Sequence, residues 1–83
     1  MIERLSVREP AVAMQLHGLM QAAYKVEAQL LQDSDFPPLR RTLQKLSTAQ
    51  SRFFGVSEHG NLHAAIELVV LRTEVYIDAL VVS

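Results

Sequence analysis

From Ile2 to Val7, apolar Ile2, Leu5 and Val7 are interleaved with polar Glu3, Arg4 and Ser6. With one slip, that alternation predicts a short strand. Arg8-Glu9-Pro10 interrupts it. Proline suits a first helical turn, where its missing N–H would be unpaired anyway, and Glu9 sits at the positive end of the helix dipole. Val12, Leu16, Leu19, Ala23, Val26 and Leu30 then recur at steps of four and three, predicting an amphipathic helix to about Gln32. Gln15, Gly18, Gln21, Lys25 and Gln29 fall on its opposite face. Asp33-Ser34-Asp35 and Pro37-Pro38 end it and start a second helix. Ser34 or Asp35 is its cap, Leu39, Leu43 and Leu46 are its apolar stripe, and Arg40, Arg41 and Lys45 form a solvated outer face.

After Ser47 the period changes to two. Arg52 to Ser57, the turn Glu58-His59-Gly60-Asn61 and the long arm Leu62 to Leu71 read as a β-hairpin. A break at Arg72-Thr73-Glu74 leads into a last strand, Val75 to Val82. The predicted order is β-α-α-β-β-β: an α+β fold with an antiparallel sheet ordered one to four and two helices on one face. The end of the last strand is unusual, because Ala79 and Val81 alternate with Leu80 and Val82. Neither face is polar, the pattern of a strand covered on both sides.

Composition narrows the classes. Eighty-three residues allow one domain, 1–83. Without cysteine there is no disulfide framework, thiolate zinc site or cysteine nucleophile. A net charge of −1 gives no electrostatic reason to expect nucleic acid or an anionic membrane as partner. The alternating start and the lack of a long apolar run argue against a targeting peptide or a spanning helix, so a cytoplasmic location is expected. At 49% hydrophobic, the chain is rich in apolar residues for its length.

Few residues suggest chemistry. His59 and His63 are four apart but flank a turn, so they lack the shared helix face that zinc-binding pairs use, and no metal is expected. Glu67 lies among apolar residues, on one face with His63, Ala65 and Val69 and opposite Leu62, Ala64, Ile66 and Leu68. There it is either a general base or amine ligand, or one half of an ion pair with an arginine. Asp78 on the next strand poses the same choice. Tyr24 and Glu27, three apart on the long helix, and Phe36 in the connection after it are either an acceptor pocket or a packed helix end.

Taken with this order of elements, several segments have a familiar wording. Leu19-Met20-Gln21-Ala22-Ala23-Tyr24-Lys25-Val26-Glu27-Ala28 and Asp35-Phe36-Pro37-Pro38-Leu39 resemble the first two helices of a bacterial branch of the GNAT N-acetyltransferases. Phe54-Gly55-Val56 with Leu62-His63-Ala64-Ala65-Ile66-Glu67 is similar to its second and third strands, and Ile77-Asp78-Ala79-Leu80-Val81-Val82 to its fourth. The resemblance spans the N-terminal half of that family's domain. In the family, the fourth strand runs into an Arg/Gln-x-x-Gly-x-Gly/Ala loop whose backbone N–H groups hold the pyrophosphate of acetyl-CoA, and residues 1–83 stop short of it.

The resemblance implies that backbone groups of Leu80, Val81 and Val82 contact the pantetheine arm and acyl carbonyl. It places Tyr24, Glu27, Phe36 and Glu67 towards the acceptor. Ala64 or Ala65 stands where the family commonly has glycine. A completed domain would transfer acetyl directly to an amine, with Glu67 or Asp78, or water beside either, taking the proton and strand donors holding the oxyanion. For this chain alone no cofactor and no catalysis are expected, with acetyl-CoA the cofactor of a completed domain. The expected partner is a second copy in a homodimer or a complementing C-terminal half, either one reached through strand 75–82. The alternative is a non-catalytic, self-associating structural or binding module.

Overall fold

The computed structural model describes residues 1–83. Strand β1 (Ile2–Leu5) is followed by helix α1 (Pro10–Leu30), a 3₁₀ turn (Pro37–Arg40) and a short helix α2 (Leu43–Ser47). Strands β2 (Arg52–Glu58), β3 (Asn61–Val70) and β4 (Val75–Val82) complete the chain. All neighbouring strands pair antiparallel in the order β1-β2-β3-β4, and both helices lie on one face of the sheet. The architecture is the α+β arrangement that the periodicities predict. No helix is long and apolar enough to cross a membrane.

The β2–β3 turn is the two-residue loop His59-Gly60, with φ of 53° and 80°. Two positive φ values make the kind of turn whose twist matches that of the paired strands. Beyond it the register shifts between Val56 and Ser57. The extra residue turns Leu62 inward, where it is buried, and leaves His63 exposed. Simple alternation from Glu67 assigns these two residues to the opposite faces, so the bulge corrects that assignment. A second shift, between Glu67 and Leu68, leaves Asp78 as the extra residue of β4.

The buried side of α1 also departs from the expected stripe. Ala13, Leu16, Met20 and Ala28 are buried, Leu19, Ala23 and Tyr24 pack at the margin, and Val26 and Leu30 are exposed. The reason is angular. At about 3.6 residues per turn, Ala13, Leu16, Met20 and Ala28 share one side of α1, and Val26 and Leu30 fall roughly a quarter turn or more away from it. The helix closes with Gln32 at a φ of 53° and an Asp33 N–H to Ala28 C=O hydrogen bond of 3.0 Å.

The single second helix expected from Leu39, Leu43 and Leu46 is divided. Arg41, at φ −67° and ψ 116°, is extended and separates the 3₁₀ turn from α2. Thr42 caps α2 by accepting from the Lys45 N–H at 3.1 Å, and Leu46 reaches the core. The His17 ring pairs with the Arg41 carbonyl at 2.9 Å, and the Gln21 amide donates to the Leu39 carbonyl at 3.2 Å. These contacts fasten the divided segment to α1.

Candidate functional site

Glu67 points from the middle of β3 into the layer between sheet and helices, with 3% of its surface exposed. A carboxylate buried to that degree is costly unless it is paired. Arg41 provides the pair. Its Nη1 and Nη2 donate to Oε1 at 2.6 Å and to Oε2 at 2.9 Å, a bidentate fork. The Ser51 hydroxyl donates to Oε2 as well. The guanidinium carbon lies 5.6 Å from the centre of the Phe53 ring, so the aromatic face supports the cation from below. No buried side-chain polar atom is left without a partner.

Burial pushes the Glu67 carboxyl up, but the hydrogen bonds from Arg41 and Ser51 and the guanidinium charge outweigh it and hold the group below its usual value. The hydrogen bond to Glu67 in turn holds the Arg41 proton more tightly than usual. Tyr24 lies close enough to feel both charges. Burial first, then the Glu67 carboxylate, raises its phenol, which holds its proton more tightly than usual. The Tyr24 and Phe36 rings meet edge to face, 6.2 Å between centres at 61°.

The structure thus brings Tyr24, Phe36 and Glu67 to one end of the helix–sheet interface. Glu27 is exposed on α1, close enough to Tyr24 for its charge to act on the phenol. Asp78, exposed at the β4 bulge, acts electrostatically on both Tyr24 and Arg41. Leu80, Val81 and Val82 lie on β4, whose outer edge is unpaired. Ala65 is buried against the helix side and Ala64 faces the other way. His63 lies 3.9 Å from Glu58, well away from Glu67.

Sequence reasoning missed Arg41 and Ser51. It put Arg41 on a solvated helix face, and the extended backbone at that residue is what redirects the side chain inward. A glutamate at an inward strand position demands a cation, which was the available signal, but nothing in the spacing picks Arg41 from its neighbours. Compared with known proteins, the chain matches no family model, no curated protein and no solved structure.

Two carboxylates with different chemistry emerge. Glu67 is ionised and both of its oxygens are occupied, so it organises Arg41, Ser51 and Phe53 more readily than it takes a proton. Asp78 faces solvent on a bulge, a local geometry that re-aims side chains beside active sites.

Proposed function

We propose that the chain is the acceptor-side half of a GNAT-like N-acetyltransferase domain. In this reading it takes part in acyl transfer from acetyl-CoA to an amine once a complementing C-terminal half pairs with β4. The observation that supports it best is β4 itself: an edge strand with a free row of backbone groups, bulged at Asp78, beside the Tyr24–Phe36 pair. In the completed site the edge groups of Leu80, Val81 and Val82 receive the acyl arm and the oxyanion. Asp78, directly or through water, takes the amine proton, and neutral Tyr24 donates one to the leaving thiolate. Glu67 positions Arg41 and Ser51 behind them.

Titration of the ¹⁵N-labelled chain with acetyl-CoA at millimolar concentration tests this reading. Weak shifts confined to Ala79–Val82 and Tyr24 are expected, with no saturation at micromolar concentration because the phosphate-holding loop of the family is not among residues 1–83. Shifts elsewhere, or none, would overturn it.

A second reading, a non-catalytic module that self-associates, is favoured by the sheet face away from the helices. There Ile77, Leu80 and Val82 are each about two-thirds exposed, although all are apolar. A homodimer in which two such faces stack would cover them. Light scattering separates the readings, since a stable dimer that shows no acetyl-CoA shifts supports the module alone.

A further inference from the structure

A cavity lies at the opposite edge of the sheet from β4, between the end of β1 and the start of β2. Its volume is about 590 Å³, within the range of small-ligand pockets. Arg4, Arg8 and Arg52 line it together with Ser6, Gln50 and Ser51. Three of the chain's eight basic residues therefore converge on one cavity, in a protein whose net charge is −1.

None of the three has a carboxylate partner, since the ion pairs of the chain involve Arg40, Arg41 and His63. No acidic residue lines the cavity either. Glu3 pairs with Gly55 and so alternates to the other face from Arg4, and Glu9, at the start of α1, forms no ion pair. Arg4 stands opposite Phe54, two residues from Arg52, so the two guanidinium side chains share a sheet face as diagonal neighbours. Like charges held together without a counter-charge repel, and an anion between them removes that repulsion.

We propose that this cavity binds a small phosphorylated molecule, its phosphoryl group held by Arg4, Arg8 and Arg52 and its remainder lying along Ser6 and Gln50. A guanidinium fork matches phosphate oxygens two at a time, and a phosphoryl group, with three oxygens and up to two negative charges, can engage several arginines at once, which favours it over chloride or a singly charged carboxylate. The site is independent of the acyl-transfer reading, and neither stands or falls with the other.

Titration of the ¹⁵N-labelled full chain with inorganic phosphate and with pyrophosphate, at constant ionic strength set by sodium chloride, tests the site. Saturable shifts of the amides of Arg4–Arg8 and Gln50–Phe53 are expected, tighter for pyrophosphate. Arg8→Gln and Arg52→Gln should each raise the dissociation constant about tenfold, the loss of one charge-assisted contact. Arg72→Gln, an exposed arginine in the β3–β4 turn, should leave it unchanged. All three positions are exposed, so circular dichroism should show the variants folded. A flat titration, or equal weakening by Arg72→Gln, would overturn the site.

Discussion

The two faces of the sheet are made from nearly equal stocks of apolar residues and put them to different use. On the helix side Phe53, Ala65 and Val81 are buried beneath Leu16, Met20 and Leu46, and the one buried charged residue there, Glu67, is paired. On the other side Ile66 and Leu68 are half-buried by neighbours in the sheet, while Ile77, Leu80 and Val82 face outward with nothing over them. Adjacent residues illustrate the contrast, since Val81 is 4% exposed and Leu80 is 67% exposed. Hydrophobicity along a strand thus reports which side chains need covering, and only the helices show which of them receive cover within the chain. In the self-association reading, this face is the one a second copy would cover.

The sharpest way to break the covered face is to remove its cation. Arg41→Met leaves Glu67 buried and unpaired and should cost about 3–5 kcal/mol in urea unfolding. Adding Glu67→Leu should recover most of that loss, because two apolar residues restore a neutral interior. Next in size, Leu16→Ala should cost about 2–5 kcal/mol, whereas Leu30→Ala on the exposed side of α1 should stay within about 0.5 kcal/mol. Equal losses at the two leucines would show that α1 buries a different side.

Gly55→Ala comes third, at about 1–3 kcal/mol. A Cβ there would lie 2.7 Å from Leu62 Cδ1 and 2.9 Å from the Ala64 carbonyl oxygen, and the backbone atom has no room to yield. On the bare face, Leu80→Lys should change stability least and association most. Light scattering at tens of micromolar should report a smaller species than wild type, while Val81→Lys, which points into the core, should unfold the protein instead.

The smallest effect is a dependence on pH. The folded value of Glu67 is depressed, so its contribution is fully present above the ordinary carboxylate range and is lost as pH falls through the folded value. Urea midpoints should therefore drop below about pH 4.3. Glu67→Gln should flatten that acid limb.

Much of the fold was legible because its periods are simple. The switch from a helical repeat to alternation after Ser47, the turn at His59-Gly60 and the break at Arg72-Thr73-Glu74 set the meander β2-β3-β4 without tertiary information. What periodicity could not reveal lies where geometry departs from it. Two bulges moved Leu62 inward and singled out Asp78, and the side on which α1 seats left Val26 and Leu30 exposed. The extended backbone at Arg41 divided a leucine stripe that looks continuous. In the site, the inward position of Glu67 was readable from alternation with Ala65. Its partners Arg41 and Ser51 were not, because they come from loops whose placement only the assembled layers determine.

The strand order carries a consequence for the path of folding. Strands β2, β3 and β4 are joined by turns of a few residues, so their pairing closes short loops. Pairing of β1 instead joins Leu5 to Phe53 across all of α1, the 3₁₀ turn and α2. Contacts so distant in sequence form late unless local structure shortens the path between them. Topology therefore predicts the meander as the first cooperative unit and the docking of α1 with β1 as the slow event. Until α1 arrives, both faces of the young sheet are open to water and to other chains.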